Sequence, residues 1–313
     1  MAAQWSSRVN TMPENSAAKP ITGPLLCCMG CYVIWGMQPV YWALLDKFSS
    51  MFVMCIRVIM AVFFMYLYLA CTGRLKEVAA LVKDRQKMKY IAPAALFLCA
   101  DWTLFIWAVT NGHVLDATLG YYFNPLMIFL AGVLLVKEKA HVLEYAAVGI
   151  ACVGIIISII QYGSFPLLSL CFAAVWPIYA TIKRFAKADP IISFTIEVTI
   201  MLPFAIAAAL VFFRGEGGFS SVSSAGDVML LIVSGIVTAL PMILYNMVVN
   251  ALPFKMVGIL QYAGTTITFL CGILFMHEAV TSNKLIMFSF IWAGLIVYTI
   301  GSFKKAGAAK KLK

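Results

Sequence analysis

Ten apolar runs, each about as long as a bilayer is thick, set the limits on what this chain can fold into. They lie at roughly 22–45, 51–71, 90–110, 116–136, 142–160, 165–182, 190–213, 228–249, 256–276 and 283–302. A helix crosses the hydrocarbon core with about 20 apolar residues. Composition agrees. The 313 residues are 63% hydrophobic and 12% charged, against about 25% charged in a soluble domain. The expected fold class is therefore all-α integral membrane, with ten transmembrane helices. Residues 1–21, rich in Pro, Asn and Ser, read as a mobile tail, and 303–313 as a basic tail.

The net charge of +10 does not point to nucleic acid, because the basic residues sit in short segments between apolar runs. With the N-terminus placed in the cytoplasm, 19 of the 23 Lys and Arg residues fall on the inside, three outside, and Arg57 within a span. That split is a strong orientation signal. It predicts an inner (cytoplasmic) membrane protein with both termini cytoplasmic.

An internal repeat organises the spans. A shift of 140 residues sets Leu104 on Leu244, Tyr122 on Tyr262, Phe129 on Phe269, Leu130 on Leu270 and Gly132 on Gly272. It also sets Leu134 on Leu274, Glu138 on Glu278 and Gly154 on Gly294. With a one-residue slip, Trp35 meets Trp176. The repeats are 22–160 and 161–302, five spans each. Five is odd, so the second half enters the membrane inverted, a pattern of secondary transporters.

Charges inside spans are costly and so point to function. Arg57 lies about 10 Å deep in the second span, at 1.5 Å per residue. Asp101 lies near the middle of the third span, at a similar height. Glu197 is the image of Arg57 under the 140-residue shift. The expectation is that Arg57 and Asp101 interact and that Asp101 exchanges protons. Burial and a neighbouring arginine act in opposite senses on a carboxyl's protonation. A fixed structural pair is the alternative for Asp101. For Glu197 the alternative is a partner near the inner end, Lys183 or Arg184. The ion-coupling candidates are Asp101, Arg57 and Glu197.

Aromatic and amide side chains mark a cavity suited to an amphipathic organic ligand. Trp35, Gln38 and Trp42 recur at helical spacing on the first span, and Asp101 and Phe105 share a face of the third. The expected substrate contacts are Trp35, Gln38, Asp101, Trp102, Phe105, Tyr122, Asn124, Trp176, Tyr179, Asn246, Gln261 and Tyr262. Pro177 and Pro241 interrupt spans and are the hinge candidates. Cys27, Cys28 and Cys31 lack a nearby His and zinc spacing, so no metal site is expected. No HExxH, GxSxG or Walker motif is present. The reading is therefore not an enzyme, with no cofactor and no nucleotide or nucleic-acid partner.

The run from Trp102 to His113, followed by Asp116 to Leu126, closely resembles the RarD-type proteins, a branch of the EamA and drug/metabolite transporter superfamily. Tyr32 to Gly36, Arg57-Val58-Ile59, Gly235 to Pro241, Gly258 to Tyr262 and Phe290 to Trp292 resemble the same branch. The resemblance implies two inverted five-helix halves around a cavity that opens to each side in turn. It also implies export of small metabolites or amphipathic drugs. Where that family usually carries Asn, this chain has Asp101. It has Asp116 in place of Glu, Ile56 in place of His, and Gly264-Thr265 in place of Pro-Thr. Asp101 thus adds a titratable group, pointing to a different substrate or a different coupling to protons. The expected partners are a small-molecule substrate, the lipid bilayer and protons. A non-transporting receptor or assembly partner of the same fold is the alternative.

Overall fold

The computed structural model describes residues 22–111, 113–162, 167–277 and 281–311. Among these the chain forms eleven α-helices and a short 3₁₀ turn. They are α1 (Thr22–Ala43), α2 (Ser50–Cys71), α3 (Leu75–Lys83), α4 (Arg85–Thr110), α5 (Val114–Leu134) and α6 (Val142–Tyr162). Then come α7 (Leu167–Ala186), α8 (Pro190–Phe212), α9 (Ala225–Ala251), α10 (Phe254–Leu274) and α11 (Ser282–Lys311). All but α3 are long and apolar enough to cross a membrane.

The spans agree with the apolar runs, and the differences sit at their ends. α4 begins at Arg85, because the Asp84 carboxylate accepts the amides of Gln86 and Lys87 and starts the helix early. The basic loop before it contains a helix the apolar count did not pick out. α3 is amphipathic and buries Leu81 against Leu69, Ile91, Ile192 and Ile196. α11 runs on to Lys311, since the Ala- and Lys-rich stretch favours helix.

The packing obeys the repeat. Exchanging the two halves maps α1 on α7, α2 on α8, α4 on α9, α5 on α10 and α6 on α11. Under that exchange the contact of α1 with α10 becomes that of α7 with α5. The contacts α2–α9 and α1–α9 become α8–α4 and α7–α4, while α6–α11, α5–α10 and α2–α8 map onto themselves. Atomic detail follows the same 140-residue shift. A Cβ on Gly154 would meet Phe290 Cβ at 2.6 Å and the Met287 carbonyl at 3.1 Å. A Cβ on Gly294 would meet the carbonyl of Ala147, the repeat mate of Met287, at 2.8 Å. α5 and α10 end alike, each followed by a left-handed residue, Lys137 (φ 60) and His277 (φ 53). Glu278, the repeat mate of Glu138, lies outside the described residues.

Both ends are tied across the halves. At the end carrying most basic residues, the Glu138 carboxylate accepts the first amides of α10, Phe254 at 2.7 Å and Lys255 at 3.0 Å. Arg184 donates to the last carbonyls of α9, Val249 at 2.5 Å and Leu252 at 3.0 Å. Each side chain therefore satisfies helix-terminal groups that the helix itself cannot, and the two meet at 3.4 Å. Lys255 forms a buried ion pair with Glu144. At the far end Lys47 pairs with Asp227 at 2.6 Å.

Two predictions follow from these contacts. Gly154→Ala and Gly294→Ala force α6 and α11 apart, so each is expected to destabilise the protein by about 1–3 kcal/mol in thermal unfolding of the solubilised chain. Gly149→Ala, whose Cβ meets nothing, is expected to leave stability unchanged or raise it by up to about 1 kcal/mol. Asp189 caps α8 through the amides of Ile191 and Ile192, both at 3.0 Å, and accepts from Arg74 at 2.9 Å. Burial pushes its carboxyl up, but the Ile192 and Ile191 amides and Arg74 outweigh this and hold it below its ordinary value. A depressed carboxyl contributes stability above the ordinary range and loses it as pH falls through the folded value. Asp189→Ala is therefore expected to cost about 0.5–2 kcal/mol at neutral pH, and the difference from wild type shrinks below about pH 4.

Candidate functional site

Three groups of side chains line the interface between the halves, stacked along the bundle axis. In the middle is an aromatic cluster. Trp35 on α1 meets its repeat mate Trp176 on α7 edge-to-face, with ring centroids 5.4 Å apart. Tyr245 on α9 closes the triangle at 5.3 Å from Trp35 and 5.0 Å from Trp176. Such rings favour tilted and T-shaped contacts. Trp35 lies eight residues before the end of α1 and Trp176 nine residues into α7, so both sit deep in the bundle.

Towards the basic end lies a closed polar cluster. Lys183 and Glu197 form an ion pair in which Lys183 is 3% exposed and Glu197 0%. Lys183 Nζ also donates to Ser193 Oγ at 2.7 Å. The Tyr179 hydroxyl lies 3.1 Å from Glu197 Oε2 and 3.3 Å from Asn246 Oδ1. The cluster thereby links α7, α8 and α9. Glu197 takes the Lys183 alternative raised for it above. The sequence places Lys183 among orientation charges, but the last turn of α7 turns it inward, where Glu197 compensates it.

Towards the far end lies a second buried polar cluster. Arg57 lies seven residues into α2, as Glu197 lies seven into α8. Its guanidinium carbon lies 4.5 Å from the ring centroid of Trp102 and 5.5 Å from that of Trp42, within cation–π reach of both. Trp42 and Lys183 are repeat mates under the one-residue slip, so a ring holds Arg57 where a lysine holds Glu197. Asp101, one residue before Trp102 on α4, is 3% exposed. Asp101 Oδ1 and Arg57 Nε are both buried, and neither has a hydrogen-bond partner among the described residues. Phe105 stands one turn from Asp101 and packs its ring 5.7 Å from Tyr121.

Not every expected contact joins these clusters. Gln38 donates its amide to the Val237 carbonyl at 2.8 Å. That carbonyl is the one left free by Pro241 four residues on, so Gln38 repairs the helix. Tyr122 and Tyr262 pack in a separate apolar cluster with α6 and α11, where Tyr122 meets Phe288 at 5.4 Å. The reason is helical phase. Tyr121 faces α4 and α7, and one residue on, about 100° round the helix, Tyr122 faces α11. Asn124 is fully buried, and neither its amide atoms nor the buried Gln261 Oε1 have a hydrogen-bond partner among the described residues. Both prolines lie within continuous helices, where Pro177 accepts from Thr181 at 2.7 Å and Pro241 from the Cys31 thiol at 3.2 Å. Sequence reasoning missed Ser193 and Tyr245, and named Lys183 only as an alternative partner of Glu197.

Comparison with known proteins supplies the family. Residues 22–160 match the EamA-like transporter family. The uncharacterized transporter YojE of Bacillus subtilis is 36% identical over 283 residues, covering 89% of this chain and 94% of that protein. The chain belongs to the EamA-like transporter family. Within it, this EamA-like protein falls in the RarD-type branch. Protein RarD of Escherichia coli is 30% identical, covering 90% of this chain and 96% of its own. A solved crystal structure, 15% identical, aligns with a TM-score of 0.70 over 89% of this chain and 98% of that one, which shows the fold alone. This EamA-like protein is an integral membrane transporter with ten membrane-crossing helices in two inverted halves.

The closed cluster can be tested by separating its charges. Lys183→Met strands a buried carboxylate and is expected to destabilise the protein by about 3–5 kcal/mol. Lys183→Met combined with Glu197→Gln removes both charges and is expected to recover most of that loss. The readout is the thermal midpoint of each variant in one detergent.

Proposed function

We propose that this chain is a secondary transporter that exports small organic solutes across the cytoplasmic membrane by alternating access, with both termini in the cytoplasm. The observation that carries the reading is the pair of polar clusters at matched depths from opposite ends, separated by the contact of Trp35 with Trp176. One is held by the Lys183–Glu197 ion pair with Ser193, Tyr179 and Asn246 Oδ1, and leaves only Asn246 Nδ2 without a partner among the described residues. The other, around Arg57 and Asp101, keeps buried polar atoms free for a ligand. Inverted repeats make this asymmetry reversible in principle, because each half can adopt the packing of the other.

The basic end of the bundle is then the cytoplasmic end, as the distribution of Lys and Arg supports. In this reading the closed cluster and the Glu138–Arg184 bridge seal the cytoplasmic side, and the Arg57–Asp101 cluster faces the exterior. Trp35, Trp176, Tyr179 and Asn246 close around the solute during the exchange. Pro177 and Pro241 allow α7 and α9 to bend. Asp101 is the group that takes up a proton when the solute leaves, so solute and proton compete for one carboxylate and move in opposite directions.

Solute counterflow in proteoliposomes tests the reading, with a panel of amino acids, amines, organic anions and amphipathic antibiotics. Wild type is expected to exchange at least one class saturably, with efflux accelerated by an opposing proton gradient. Asp101→Asn is expected to lose that acceleration while any remaining exchange ignores pH. Saturable binding with no counterflow for any solute would overturn transport in favour of a receptor.

A further inference from the structure

A cavity of about 500 Å³ opens at the basic end of the bundle, between the two halves. Glu138 and Lys139, from the connection after α5, line one side. Arg184, in the last turn of α7, and residues 250–253 with Lys255, where α9 gives way to α10, line the rest. The charges around this space do not cancel. Glu138 accepts the Phe254 and Lys255 amides and meets Arg184. Lys255 is paired with Glu144. Arg184 donates through Nη1 to the Val249 and Leu252 carbonyls and through Nη2 to Glu138. Lys139, Arg184 and Lys255 set against Glu138 and Glu144 leave one positive charge over. Donors are left over as well. The Lys139 ammonium, the Asn250 side-chain amide and Arg184 Nε have no hydrogen-bond partner among the described residues, and Lys139 and Asn250 are exposed.

We propose that this cavity binds the phosphodiester headgroup of an anionic lipid, taken from the leaflet at the basic end of the bundle. One surplus positive charge suits a phosphodiester, which carries one negative charge, better than a phosphate monoester with its charge of about −1.5 to −2. Lys139 supplies the charge. Asn250 and Arg184 Nε supply N–H donors to the diester's non-bridging oxygens, and bonds to an ionised acceptor are the strong ones. What borders the cavity favours a lipid over a soluble diester. Leu134 and Leu135 come just before Glu138, Phe185 follows Arg184, and Met247 stands one turn before Ala251. All four are exposed, so acyl chains can lie against them in the bilayer while the diester sits at its edge. A basic pocket between helices near a membrane surface is a site of the kind that takes anionic headgroups. The lining comes from both halves, so a bound headgroup ties them together at this end. The site lies apart from the aromatic and polar clusters between the halves, and stands or falls independently of transport.

The test follows the thermal midpoint of the purified full chain in a neutral detergent as lipid is added. Dioleoylphosphatidylglycerol is the anionic diester, and dioleoylphosphatidylcholine has the same chains without net charge. Phosphatidylglycerol is expected to raise the midpoint saturably, at a half-maximal concentration at least about tenfold below that of phosphatidylcholine. Lys139→Gln is expected to raise that concentration about fivefold, and Asn250→Ala, which removes no charge, about threefold. Both side chains are exposed and without partners, so neither variant is expected to shift the lipid-free midpoint. Lys76→Gln removes an exposed charge from α3, outside the cavity lining, and is expected to leave the phosphatidylglycerol response unchanged. An equal response to both lipids, or wild-type affinity in both cavity variants, overturns the inference. A loss in Lys76→Gln as large as that in Lys139→Gln overturns it in favour of diffuse surface charge. Glycerophosphoglycerol, the same headgroup without chains, is expected to have little effect. The same midpoint shift at the same concentration of it overturns the lipid in favour of a soluble diester.

Discussion

A charge removed from water must be compensated, and most of this structure follows from how each buried charge is. Lys183 and Glu197 do it by contact, with Ser193 and Tyr179 taking up the remaining hydrogen-bonding capacity. Lys255 does it with Glu144, and Glu138 and Arg184 against helix ends of opposite polarity. Arg57 alone among these leans on aromatic faces, which hold a cation but occupy none of its N–H donors. Arg57 Nε and Asp101 Oδ1 are thereby left without a hydrogen-bond partner among the described residues, as is Asn246 Nδ2 in the other cluster.

The inverted repeat explains why the two clusters are comparable at all. Arg57 and Glu197 occupy the same place in their halves, as do Trp42 and Lys183. The backbone scaffold is shared down to the close approach of Gly154 and Gly294 to the opposite helix. On that common frame the side chains have diverged in sign and in partner. The result is a symmetric skeleton with asymmetric chemistry. The Trp35–Trp176 contact lies where the two halves meet, between the clusters.

Much of the fold was legible in the sequence, because hydrocarbon allows so few solutions. Span length, helix type and the five-plus-five division came from apolar runs and one offset. The amphipathic α3 was hidden by its own charges, which mark a loop when counted and a helix only when Leu81 finds Leu69 and Ile192 to bury against. Of the site, Arg57, Asp101 and Glu197 were legible because charge within a span is conspicuous. Lys183 was legible only as one alternative partner of Glu197, since a lysine in a last helical turn looks like an orientation charge until its rotation is known. Tyr122 and Tyr262 misled for a related reason: one step along a helix moves a side chain to another face.

The sequence by itself determined that this chain spans a membrane ten times in two inverted halves, and which charges lie within the spans. Those outcomes follow from transfer energetics, which depend on composition along the chain and not on neighbours. Only the tertiary structure decided which charges meet. Contact between Lys183 and Glu197, the placement of Arg57 over the rings of Trp42 and Trp102, and the diversion of Gln38 to the Val237 carbonyl depend on helix rotation and crossing. These are set by the packing of small residues and rings from distant parts of the chain.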